Sequence, residues 1–104
     1  MAAGVIGKGL YIKGEIHGED DLIIEGTVEG TLTMAKSLTI ETEGRVKADI
    51  QTENVVIKGQ MQGDLSARQK VTIHEGARLV GDISAPRLEV DDGAYYKGNI
   101  DMGK

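Results

Sequence analysis

Along most of the chain the apolar residues share one parity. From Leu22 onward, Leu22, Ile24, Val28 and Leu32 alternate with Ile23, Glu25, Thr27, Glu29 and Thr31. Alternation with a period of two marks a strand with one buried face and one wet face. Helical periodicity fits badly, and β-branched residues, which favour pleated surfaces, are abundant. The runs are short and punctuated by Gly at fixed places, so each stretch predicts three short strands separated by bends.

The pattern then restarts. Segments 22–37, 38–54, 55–70, 71–87 and 88–104 are 16, 17, 16, 17 and 17 residues long, and 4–21 is an irregular first copy. Short copies read Ile-x-Gly-x-apolar-x-Gly-x-Leu, as in Ile24 to Leu32 and Ile57 to Leu65. Long copies insert two residues before the second apolar position, as from Ile40 to Val46, Ile73 to Leu79 and Val90 to Tyr96. Equal spacing stacks like positions. The predicted inner columns are Leu22/Leu38/Val55/Val71/Leu88, Ile24/Ile40/Ile57/Ile73/Val90, Val28/Val46/Met61/Leu79/Tyr96 and Leu32/Ile50/Leu65/Ile83/Ile100. Such columns form one continuous dry core only if the chain coils into a β-solenoid. A β-sandwich of hairpins would show Asn-Gly or Asp-Gly turns without a fixed period. The one Asp-Gly is Asp92-Gly93, and there is no Asn-Gly. Strands stacking about 4.8 Å apart predict a rod roughly 29 Å long for six coils.

Composition then acquires a reason. The 104 residues include 15 Gly, one Pro, three Tyr and no Phe or Trp. Large aromatics, the usual anchors of a core, are replaced by stacked Ile, Leu and Val. Gly14, Gly18, Gly26, Gly30, Gly59, Gly63, Gly81 and Gly98 fall at inward positions near bends, where a side chain would crowd the interior or a positive φ is needed. Gly44, Gly76 and Gly93 lie in the two-residue insertions, and Pro86 lies in a final bend. No Cys excludes a disulfide framework and a thiolate metal site. A net charge of −5 speaks against nucleic acid as the main partner. No apolar run is long enough to span a bilayer. The start, Met1 to Gly7, lacks the basic and apolar regions of a signal peptide.

Coils of 16 or 17 residues differ from the 18-residue coils of left-handed hexapeptide helices, and β crossovers favour the right hand. The expected fold is an all-β, right-handed, triangular parallel β-helix. The runs Gly4-Val5-Ile6-Gly7-Lys8-Gly9, Ile12-Lys13-Gly14-Glu15-Ile16 and Leu22-Ile23-Ile24-Glu25-Gly26-Thr27-Val28-Glu29-Gly30 resemble the opening of a bactofilin domain. The stretches Val80-Gly81-Asp82-Ile83-Ser84-Ala85-Pro86-Arg87-Leu88 and Asp91-Asp92-Gly93-Ala94-Tyr95-Tyr96-Lys97-Gly98 resemble its closing motifs. The resemblance covers essentially the whole chain as one domain, 1–104. It implies a bacterial cytoskeletal protein that polymerises without nucleotide into non-polar filaments. It also implies a place in the cytoplasm, at the inner face of the cytoplasmic membrane. Partners there would be cell-wall enzymes or chromosome-segregation proteins, in the service of cell shape or polar structures. The family commonly has Phe where Tyr96 stands. Its flanking tails, where a membrane-targeting segment often lies, have little counterpart in 1–104.

Catalytic chemistry has thin support. Asp49, Asp64 and Asp82 fall at one position of successive coils, between Thr31 and Asn99. Such a column could bind a cation or serve as acid and base. The favoured reading is a solvated outer face, with Asp or Asn bonding local backbone. His17 and His74 lie far apart without a His partner at metal-ligand spacing. Gly4 to Gly9 lacks the Gly-Lys-Ser/Thr of a phosphate loop. No catalytic residue, cofactor, metal or nucleotide site is therefore expected, and the short bends leave no cleft for an enzyme.

Function is expected at the ends. A solenoid exposes unpaired edges and a section of its apolar core wherever it stops, and soluble ones cover these with caps. No helical cap is visible here. The expected polymerisation interface is Leu88, Val90, Tyr95, Tyr96 and Ile100 at one end and Val5, Ile6, Leu10 and Ile12 at the other. Strand addition between rods would supply register, and the apolar residues affinity. The partner is a second copy of the chain. The alternative is a monomeric or closed-dimer binding module, of the division-regulator or adhesin kind.

Overall fold

The computed structural model describes residues 4–101. Met1–Ala3, from the segment weighed as a signal peptide, and Met102–Lys104, from the last copy, lie outside them. The chain runs through about six coils, without a helix among the described residues. The first coil holds β1 (Gly4–Ile6) and β2 (Tyr11–Gly18), and the second β3 (Leu22–Ile24) and β4 (Thr27–Met34). The third holds β5 (Ser37–Ile40) and the start of β6 (Arg45–Ile57). The end of β6, β7 (Gln60–Gln62) and the start of β8 (Leu65–Ile73) form the fourth. The end of β8, β9 (Arg78–Val80) and β10 (Ile83–Ser84) form the fifth, and β11 (Leu88–Val90), β12 (Tyr95–Lys97) and β13 (Ile100–Asp101) the sixth.

Every pairing is parallel, and the pairs fall into three ladders, one per side of the rod. The first side stacks β1, β3, β5, the end of β6, the end of β8, and β11. The register there matches Leu22 to Leu38, Val55, Val71 and Leu88 in turn. The second side matches Val28 to Val46, Met61, Leu79 and Tyr96. The third matches Leu32 to Ile50, Leu65, Ile83 and Ile100. These are the columns that parity and period predict. In the interior coils they are buried without exception, from Ile24 and Val28 to Ile73 and Ile83. The Cα atoms span 32 × 25 × 23 Å.

Two corners show why small residues recur. One column runs Gly14, Gly30, Ala48, Gly63, Gly81 and Gly98. A Cβ at Gly30, Gly63, Gly81 or Gly98 would run into the backbone of the coil before it, and all four have φ between 125° and 138°. Both space and conformation demand Gly there. In the other column, Gly26, Gly44 and Gly59 have ordinary φ but no room, because carbonyl oxygens stand where a Cβ would go. The two-residue insertions are tight turns. Ala77 N–H bonds to the His74 carbonyl and Ala94 N–H to Asp91, with Gly76 and Gly93 at φ 85° and 89°. Gly7 to Leu10 repeats the turn with Gly9 at φ 82°, so the first coil is built on the long plan despite its irregular sequence. At the third corner Thr52 is the buried polar side chain, and its hydroxyl donates to the Lys36 carbonyl at 2.5 Å. The burial of Thr52 thus leaves no unmet hydroxyl.

Candidate assembly interface

The two terminal coils break the burial rule of the interior. Ile73 and Ile83 are 0% and 2% exposed, whereas Val90 and Ile100, next in the same columns, are 49% and 42% exposed. Leu88 and Tyr96, ending the other two columns, are half-buried against the core. Each of β11, β12 and β13 pairs with one neighbour only, as do β1 and β2. Each end therefore combines unpaired backbone groups with apolar side chains that lack a further layer.

At the first coil the expected residues divide. Ile12 is half-buried against the core. Leu10 occupies a corner column that holds Gly26, Gly44, Gly59, Ala77 and Ala94 in the later coils. A Leu could not fit inside that corner between two coils. At the open end it has room, and it is 52% exposed. Ile6 instead stacks beneath Ile24 and joins the core at 6% exposure, so it fills the interior of its coil and offers little surface. Val5 and Tyr95 have outward parity and sit on the flanks of the terminal coils, both exposed. The Arg78 guanidinium lies 5.2 Å from the Tyr95 ring centre, which holds that ring against the second side.

Tyr96 is tied down more firmly than an open contact residue would be. Its hydroxyl faces the Gly81 carbonyl at 3.2 Å and the Asn99 carbonyl more closely still. The ring thus closes the last column while its polar tip serves the glycine corner. Burial, and secondarily the nearby Asp82 charge, push its phenol above the ordinary value. Sequence reasoning missed Tyr11, which is exposed in the first coil. Tyr11 begins the outward column that Tyr95 ends, running through Thr27, Arg45, Gln60 and Arg78. That shared column was the available signal. Six of the seven large exposed hydrophobics among the described residues lie in the first or last coil, and the seventh is Val80.

Both ends thus leave strand edges and apolar side chains without a further layer among the described residues. The model of the family described as bactofilin, polymer-forming cytoskeletal, matches residues 4–101. The chain belongs to the bactofilin family. It is 49% identical to bactofilin BacO of Myxococcus xanthus (strain DK1622) over 102 residues, covering 98% of this chain and 81% of that protein. It is 62% identical to bactofilin BacN of the same organism over 99 residues, covering 95% and 88%. With bactofilin BacP of that organism it shares 39% over 99 residues, 95% of this chain but 41% of the relative. No solved structure matches.

Bactofilins are structural proteins of the cytoskeleton, and a polymer-forming family associates with itself. The side chains weighed for chemistry stand on the outer surface of this bactofilin. Asp49, Asp64 and Asp82 are exposed on the third side. His17 lies 3.5 Å from Glu15, and His74 Nδ1 lies 3.2 Å from Asp91, both on open surface. Among the described residues no three His, Cys, Asp or Glu side chains converge as a metal site would need.

Proposed function

We propose that this bactofilin assembles end to end through its terminal coils, without nucleotide, into non-polar filaments that act as a cytoplasmic scaffold. The observation that carries this is the abrupt exposure of the core columns at Val90 and Ile100, one coil beyond fully buried equivalents. A second copy placed on that end would add the missing strand to each ladder and cover the open column ends. Full burial of a Val or Ile is worth about 1.5–3 kcal/mol, and each partly exposed residue would gain less than that. Hydrogen bonding between edges would fix register. Like ends meeting like ends would produce a filament without polarity.

The scaffold reading extends to cell shape and to the placing of cell-wall or chromosome-segregation proteins at the inner face of the membrane. Its support there is membership of a polymer-forming cytoskeletal family. The test is negative-stain microscopy of purified protein freed of nucleotide. Filaments a few nanometres wide are expected, unchanged in mass by added ATP or GTP. A nucleotide requirement, or particles no larger than a closed dimer, would contradict the proposal and favour a binding module.

A further inference from the structure

The three sides of the rod carry charge differently. On the first side, charges neutralise one another between neighbouring coils: Lys58 pairs with Glu41 and Lys70 with Glu89, and His74 Nδ1 lies 3.2 Å from an Asp91 carboxylate oxygen. The second and third sides have separated their charges. The outward columns of the second side hold Lys13, Arg45, Lys47, Arg78 and Lys97 against a single carboxylate, Glu29. Glu29 is itself engaged by the Tyr11 hydroxyl, whose pKa rises chiefly because of that hydrogen bond. The outward columns of the third side hold Glu15, Asp49, Asp64, Asp82 and Asp101, with His17 beside Glu15 and one guanidinium, Arg68, at the far edge of this side, donating to the Ala35 carbonyl. Among the described residues, Lys13, Arg45, Lys47 and Lys97 have no ion-pair partner, and neither do Asp49, Asp64 and Asp82.

We propose that the basic second side of one rod docks on the acidic third side of a second copy, joining filaments laterally into bundles. A second copy is the occupant that matches in spacing as well as in sign, because both faces repeat at the same distance of one strand per coil. Two parallel rods in register set Lys13 against Glu15, Arg45 and Lys47 against Asp49, Arg78 against Asp82, and Lys97 against Asp101. Asp64 then meets the amides of Gln60 and Gln62, which can donate to it. Antiparallel rods aligned first coil to last would set Glu29 against Asp82 and leave Arg78 opposite Thr31, so for rods with flush ends the charges favour the parallel arrangement. Each pair is weak alone, and the row acts together along the rod. The contact joins two different faces, so it propagates sideways instead of ending at two rods. The residues reversed in the test below, Arg45, Lys47, Asp49, Asp64, Arg78 and Asp82, all lie in the third to fifth coils, so the contact stands or falls apart from end-to-end assembly.

The experiment compares low-speed pelleting, which collects bundles, with high-speed pelleting, which collects single filaments. Three proteins are used: the unaltered chain, Asp49→Lys/Asp64→Lys/Asp82→Lys, and Arg45→Glu/Lys47→Glu/Arg78→Glu. At about 0.05 M salt the unaltered chain is expected in the low-speed pellet, and at about 0.5 M salt in the high-speed pellet only, since screening shortens the reach of the charges. Each variant alone should lose tenfold or more of the low-speed pellet and keep its high-speed pellet. Mixing the two variants should restore bundles, because each then carries the complement of the other. Bundling that survives both reversals, or mixing that restores nothing, would overturn the proposal. So would a basic-face reversal that abolishes binding to phosphatidylglycerol vesicles or duplex DNA while leaving bundles intact. Should a triple variant fail to fold by circular dichroism, the single pair Arg45→Glu and Asp49→Lys carries the same mixing test.

Discussion

Two neighbouring coils of one rod behave in opposite ways. In the fifth coil Ile73 and Ile83 are sealed in the core, while in the sixth Val90 and Ile100 stand about half in water at the same register. Local strand structure and column position do not differ. The difference is that a further coil covers the fifth, whereas none covers the sixth among the described residues. Burial in a solenoid is therefore a property of the neighbour, and a terminal coil is incomplete in the way an interior coil would be if its successor were removed. Interior positions hold the rod together, and terminal ones are available to another rod.

The largest effect should come from the glycine corner, where the comparison can be made inside one column. Gly81→Ala forces a Cβ against the Gly63 carbonyl oxygen at φ 138°, and we expect a loss of about 3 kcal/mol or more in denaturant unfolding. Gly14→Ala, at φ 135° with nothing within 4 Å of its Cβ, carries only the conformational cost, about 1–2 kcal/mol. Equal losses would mean that the first coil is not open. Next come the paired truncations. Ile73→Ala should cost about 2–5 kcal/mol, whereas Val90→Ala in unassembled protein should cost about 1 kcal/mol or less. Similar thermal shifts for the two would deny the contrast between interior and end.

Smaller again is Tyr96→Phe, which deletes the hydroxyl bonded to the Gly81 and Asn99 carbonyls and should cost about 1 kcal/mol near neutral pH. The folded state raises the phenol pKa, so it holds that proton more tightly than the unfolded chain. The resulting stability is whole below the unfolded value of about 10 and is lost as pH rises through the higher folded value. The gap between Tyr and Phe proteins should narrow in alkaline melts, and a gap that widens would contradict the sign. The smallest effect is on the first side. Lys58 and Glu41 are 3.9 Å apart on open surface, and Lys58→Ala should change stability by about 0.5 kcal/mol or less.

Much of this was legible in the sequence because a solenoid translates period directly into contact. The parity of Leu22, Ile24, Val28 and Leu32 marked the inner face, and the 16–17 residue restart fixed which residues stack. Every one of the four predicted columns is the observed register. What a column does at its last member was less legible. Ile6 and Val90 end the same column, yet one is buried and the other half exposed, since cover at an open end depends on shape beyond the repeat. Leu10 was legible as an end residue, but the reason it must stay at an end, the Gly and Ala of its column, shows only once the first coil's turn is aligned. Charge segregation was hidden for a related reason. Along the chain Lys, Arg, Asp and Glu appear mixed, and only winding sorts them onto separate sides.

The most direct test of the account is negative-stain microscopy and sedimentation velocity on Val90→Arg. The change places a charge on the open end while leaving every interior column intact. The expected result is a short rod with the far-ultraviolet spectrum of the unaltered chain and no filaments. Filaments undiminished in number and length would contradict assembly through the terminal coil.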